Sequence, residues 1–205
     1  MPAGVYNHME AVAAALEHDA ELMLRVKDGD SASYERLLEK YRSSVIHYVF
    51  RMVQNQGIAE ELAQEVFFRV YRSRASYEPT AKFTTWLFRI ATHLALNSLR
   101  DRRSERSQES LDQVNEGARS IQAVDHRRNR EQELLAEARL DEVRRAVAGL
   151  PEKQRAAVLM HKYQDMDYLQ ISGVLGCSTS AVKSLLFRAY ETLRGRLGHL
   201  AEGTA

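Results

Sequence analysis

Apolar residues recur every three to four positions along most of the chain, and no convincing stretch alternates with period two. This pattern predicts an all-α protein of two small helical domains. Helices are expected near 19–28, 31–53, 57–72 and 83–102, then near 127–148, with three more towards the C-terminus. "DGDSASYERLLEKY" stops one helix and offers Ser31 as the cap of the next. Pro79 excludes a helix through "SRASYEPTAKFTT", and Gly149 followed by Pro151 stops one helix and starts another. Residues 104–126 are polar and lack a wide apolar stripe, as a flexible linker does. The domains expected are therefore 19–103 and 127–199, with a partly disordered extension at 1–18 and a tail at 200–205.

Three helices carry unusual outer faces. In "LGCSTSAVKSLLFRAY", Gly176 allows a sharp turn and Ser178 caps the next helix. Val182, Leu185, Leu186, Ala189 and Leu193 fall on one face, while Ser178, Thr179, Ser180, Lys183, Ser184, Phe187 and Arg188 fall outside it. That is the spacing of a helix-turn-helix, with Asp167 capping its first helix. Lys183 and Arg188 can meet phosphates or guanine, Ser180 and Ser184 permit close approach, and Phe187 can touch a thymine methyl. The alternative is an ordinary helical hairpin whose Phe187 packs on a neighbour.

"KFTTWLFRIATHLALNSLRDRR" buries Phe83, Leu87, Ile90, Ala91 and Leu94 and gathers Arg89, His93, Arg100 and Arg103 on another face, with Trp86 and Asn97 at its boundary. A cationic track beside an aromatic ring suits unpaired bases; a core Trp86 with solvated arginines is the other option. "GIAEELAQEVFFRVYR" buries Ala59, Leu62, Ala63, Val66 and Val70 and shows Glu60, Glu61, Gln64, Glu65, Phe68 and Tyr71. Carboxylates repel phosphate, so this face suits a protein partner, or is plain charged surface.

Composition narrows the classes. The net charge is +1, but Lys82–Arg106 holds six bases against two acids, while Glu10–Lys40 holds eight acids against four bases. The one cysteine, Cys177, excludes an intrachain disulfide and fits a cytoplasmic protein. No apolar run is long enough for a membrane span, and "MPAGVYNHMEAVAAALEH" does not read as a signal peptide; Met9 is a second candidate start. His93 lacks a partner at metal spacing. A phosphate loop, a nucleophile elbow and a metal constellation are all missing, so neither catalytic residues nor a cofactor are expected. A stand-alone dimeric regulator would need a longer heptad seam than the chain offers.

Four strings in order, "AEELAQEVFFRVYR", "FTTWLFRIATHLALNSLRDRR", "LPEKQRAAVLMHKY" and "DMDYLQISGVLGCSTSAVKSLLFRA", give a specific resemblance. The chain resembles a bacterial RNA polymerase sigma factor of the extracytoplasmic-function group, over about 19–103 and 127–197. The resemblance implies that the first domain docks on core RNA polymerase and opens the −10 element of promoter DNA, and that the second reads the −35 element. It implies docking by Glu61, Leu62, Gln64, Glu65 and Phe68, and −10 contacts by Trp86, Arg89, His93, Asn97 and Arg100. It places a captured base against the loop at about 76–84, and −35 contacts between Ser178 and Arg188. It also implies an anti-sigma factor that covers the polymerase-facing surfaces; the lack of a long heptad seam separately argues against a stable homo-oligomer. Leu185, Tyr190, Ser172, Gly173 and His93 depart from the usual pattern at their positions.

Overall fold

The computed structural model describes residues 18–109 and 130–202. Most of the 104–126 connector, the first seventeen residues and the last three therefore lie outside the described part. The described residues divide into two compact units: one unites 18–50 with Gln56–Asn97, the other Arg51–Asn55 with 98–109 and 130–202.

The first unit is built on α1 (described over 18–27), α2 (Ser31–Val53) as far as Phe50, α3 (Gln56–Arg72) and α4 (Phe83–Glu109) as far as Asn97, with a single 3-10 turn at Arg74–Ser76 between the last two. Gly29, at φ +99°, makes the turn between α1 and α2. The cap of α2 is Asp30 rather than Ser31: its carboxylate accepts from Ala32 N at 2.9 Å and Ser33 N at 3.2 Å. The Ser33 hydroxyl donates to it as well, at 2.7 Å. These bonds, the hydroxyl's first, hold the Asp30 carboxyl below the usual carboxylate range. Its contribution to stability is therefore present at neutral pH and lost as acid protonates it.

Tyr48 of α2 meets Phe88 of α4 edge-on at 5.2 Å and bonds Thr92 Oγ1 at 2.7 Å. This second contact direction buries Phe88, Thr92 and Ala95 beside the expected Phe83, Leu87, Ala91 and Leu94, and leaves Ile90 only half-buried. On α3 likewise Phe67 is buried and Leu62 half-buried, against the expected face. Each fully buried leucine or phenylalanine among these contributes about 1.5–3 kcal/mol. The helix expected to end at 102 continues to Glu109, because "SERSQE" contains neither glycine nor proline to stop it.

The second unit places α8 (Thr179–Glu202) against α5 (Arg130–Ala148), α6 (Glu152–Tyr163) and α7 (Tyr168–Leu175), and α6 against α7. Its core holds Leu150, Ala156, Leu159, Met160, Ile171, Val174, Val182, Leu186 and Ala189. Two arginines close the C-terminal end of α5. Arg196 donates to Ala146 O at 3.2 Å, and Arg155 donates to Ala148 O and to Leu150 O, the latter at 3.0 Å. A Cβ at Gly149 would run into the Arg196 guanidinium, so the stop residue is also a spacing residue.

The departure at Gly173 has a measurable cost. It is exposed in the middle of α7, and a Cβ there would meet nothing within 4 Å. Gly173→Ala should raise stability by about 1 kcal/mol through helix propensity alone. The check is the midpoint of thermal or urea unfolding, which should rise; a lower midpoint would show a packing role for the bare backbone.

Candidate functional site

Short-range chemistry builds the C-terminal site. Asp167 Oδ1 accepts from Gln170 N at 2.8 Å, and Gln170 Oε1 accepts from Asp167 N at 2.9 Å, a reciprocal capping box that starts α7. α7 ends at Gly176, which is left-handed at φ 62° and ψ 40°. Ser178 Oγ then accepts from Ala181 N at 3.1 Å and starts α8. These are the helix-turn-helix features read from the sequence. The Ser178 hydroxyl is thus engaged in shaping the helix, and Ser184 Oγ donates to Ser180 O at 3.2 Å.

Beyond that start, Lys183, Ser184, Phe187 and Arg188 line one shallow, open depression on the outer face of α8. Phe187 is 68% exposed, so it does not pack on a neighbour within its unit. Thr179 and Ser180 are exposed one turn earlier. Leu169 on α7 is also open to solvent, at 73%. Tyr163 and Tyr168 are exposed as well.

On α4, Trp86, Arg89, His93, Asn97 and Arg100 are separated by three, four, four and three residues. That spacing puts them in one narrow stripe of a 3.6-residue helix. The last four are exposed and Trp86 is half-buried. The indole lies edge-on to Tyr77, centroids 5.0 Å apart, and tilted to Phe83 at 6.0 Å. Trp86 is thus both wall and surface: one side is packed, the rest faces water next to the cationic stripe. Tyr77 lies within the 76–84 loop expected to face a captured base, but its packing against Trp86 was not foreseen. Its signal is a lone aromatic two residues before Pro79 in an otherwise polar loop.

On α3, Glu61 and Gln64 are exposed and Leu62 and Glu65 half-buried; Glu65 pairs with Arg69 at 2.6 Å across one helical turn. Phe68 is 56% exposed. Tyr71, also exposed, carries the Arg74 guanidinium over its ring at 4.1 Å and receives Tyr34 edge-on at 5.1 Å. Tyr34 in turn donates to Phe67 O at 2.9 Å, which fixes α3 against α2. The result is a firmly held acidic and aromatic face.

Among the described residues no cluster of three or more His, Cys, Asp or Glu side chains is placed to hold a metal, and no helix is long and apolar enough to cross a membrane.

The family described as Sigma-70 region 2 matches residues 37–105, and that described as Sigma-70, region 4 matches residues 140–193. The RNA polymerase sigma-H factor of Pseudomonas aeruginosa is 29% identical over 181 residues, which are 86% of this chain and 92% of that protein. The ECF RNA polymerase sigma-E factor of Escherichia coli is 29% identical over 180 residues, 87% and 94% of the two chains. Two solved structures share the fold. One is the sigma factor RpoE in complex with the anti-sigma factor NepR from Bartonella quintana, with a TM-score of 0.64 at 18% identity over 80% of this chain and 96% of that one. The other is CnrH in complex with the cytosolic domain of CnrY, with a TM-score of 0.62 at 18% identity over 91% and 99%.

Proposed function

Because the chain belongs to the sigma-70 family, with region 2 and region 4 in order along one polypeptide, we propose that it is the promoter-specificity subunit of a bacterial RNA polymerase, of the extracytoplasmic-function group. It works in the cytoplasm, on core polymerase and promoter DNA, and is held in check by an anti-sigma factor. It catalyses no bond change of its own; it supplies binding energy for promoter choice and strand opening.

The observation that carries this reading is the pairing of the two family regions with three exposed faces of different character. The α3 face, with Glu61, Leu62, Gln64, Glu65 and Phe68, has the acidic and aromatic chemistry of a protein contact. The α4 stripe, with Trp86, Arg89, His93, Asn97 and Arg100, suits unpaired −10 bases and their phosphates. The α8 face suits the major groove of the −35 element: Ser178 sets the helix start, Thr179 and Ser180 allow close approach, and Lys183, Ser184, Phe187 and Arg188 reach base edges and phosphates. An anti-sigma factor covers the polymerase-facing surfaces; in its support, the structural relative RpoE is seen in complex with the anti-sigma factor NepR.

Run-off transcription with purified core polymerase tests the reading. Initiation from a defined subset of genomic fragments only when the protein is added supports it; initiation unchanged by the protein rejects it. The α3 assignment has its own check. Phe68→Ala removes an exposed anchor and should weaken binding to core polymerase about tenfold in a fluorescence titration. Unchanged affinity would move the docking surface elsewhere.

A further inference from the structure

Four rings form one cluster at the head of α4. Tyr77 sets its ring edge-on to Trp86, centroids 5.0 Å apart and planes at 61°, and edge-on to Phe83 at 6.4 Å. Phe83 meets Trp86 at 6.0 Å and Tyr41 of α2 at 5.5 Å. Tyr77 is 3% exposed and Phe83 fully buried, whereas Trp86 keeps part of its surface in solvent.

Helix α1 holds this cluster from behind at two points. Lys27 Nζ donates to the main-chain oxygen of Tyr77 at 3.1 Å, across a separation of 50 residues. Asp19, buried at the other end of the described part of α1, accepts from Lys40 Nζ at 2.6 and 2.7 Å and from the Tyr41 hydroxyl. The loop from Glu78 to Lys82 is exposed along its whole length, so its starting point is set at Tyr77. The Tyr77 hydroxyl is buried without a hydrogen-bond partner. Burial raises its pKa, with the Asp19 carboxylate adding to the effect. An unpaired buried hydroxyl brings no net stability, so the ring is the working part of this side chain.

A stacking surface works only when held within about 0.5 Å and 10–20° of the productive pose. The backbone of α4 fixes the Cα of Trp86 but leaves its side-chain torsions to be set by neighbours. We propose that Tyr77 and Lys27 are positioning residues for strand opening: the Tyr77 ring sets the tilt of the Trp86 indole beside the basic stripe, and Lys27 pins the backbone that carries that ring. The inference rests on the reading of α4 as the helix that receives unpaired bases.

The test uses holoenzyme on a promoter found by run-off transcription. Closed complexes are read by duplex binding in the cold, and opening by permanganate reactivity of unpaired thymines. In the free protein, the emission of Trp86, the only tryptophan in the chain, reports its surroundings directly. Lys27→Met, at an exposed site, and Tyr77→Leu should each slow opening about tenfold and shift the emission. Closed-complex affinity and core affinity should change by less than about twofold, since neither residue lies on the α3 or α8 face. Lys27→Arg keeps a donor and Tyr77→Phe keeps the ring; both should open at the wild-type rate. Opening at the wild-type rate by Lys27→Met overturns the proposal, and so does a Tyr77→Phe variant as slow as Tyr77→Leu, which would transfer the role to the hydroxyl. Wild-type holoenzyme is the reference: its own failure to open the promoter would reject the function proposed above, not the positioning.

Discussion

Trp86→Ala is expected to slow promoter opening by about 10- to 100-fold while closed complexes form with nearly unchanged affinity. The size follows from stacking, which contributes about 1–3 kcal/mol per base when an aromatic platform is truncated. The asymmetry follows from placement. The indole is packed on one side by Tyr77 and Phe83 and open on the other, at the start of the stripe that Arg89, His93, Asn97 and Arg100 continue. A duplex offers its phosphates to the arginines but keeps its bases stacked, so the ring acts only once strands separate. Truncation also removes packing from the cluster, so thermal unfolding must be measured alongside. Trp86→Phe, which retains a ring, should recover most of the opening rate. Equal losses in closed and open complexes would assign Trp86 to the core of the fold and leave the melting role without a residue.

The second large effect is expected at Arg188. Arg188 lines, with Lys183, Ser184 and Phe187, the depression on the outer face of α8. An arginine with both forks on guanine contributes about 1–3 kcal/mol of discrimination, whereas one on phosphate weakens all sequences alike. Arg188→Ala should therefore reduce holoenzyme binding to its own promoter by about 10- to 100-fold, with a much smaller loss on promoters altered in the −35 element. Loss of the same size on both, with a shallower salt dependence, would make Arg188 a phosphate contact and pass base reading to Lys183 and Phe187. Opening, once DNA is bound, should proceed at the normal rate in this variant, the reverse of the Trp86 result.

The two helix starts in the second unit were legible because their signals are local. Asp167, Gly176 and Ser178 act over three or four residues, and each does in the fold what its residue type and position suggest. Asp30 and Ser31 show the limit of such reading. Both residue types cap helices, and only the fold decides which amides are left unpaired, so the choice of Ser31 over Asp30 could not be corrected from sequence. The buried face of α4 failed differently. A single-stripe pattern presumes one packing direction, but α4 meets Tyr48 on one side and the Tyr77–Phe83 cluster on another. Thr92 is hidden there because its hydroxyl donates to Phe88 O at 2.6 Å and meets the Tyr48 hydroxyl, a pairing between residues 44 apart that no periodicity reports. The exposed faces were easier. Phe68 and Phe187 stand off the apolar stripe of their helices, and both are solvent-facing in the fold. Lys27 stayed invisible because its contact with Tyr77 links segments fifty residues apart.

In the function proposed here, one face holds an enzyme and two handle separate stretches of DNA. Footprinting one promoter with the protein alone, with core polymerase alone and with the two combined tests this most directly. Two separated protected segments, with unpaired bases in the downstream one, are expected only when both are present. Equal protection of a duplex segment by the protein alone, unaltered by polymerase, would contradict this function and describe a stand-alone helix-turn-helix regulator instead.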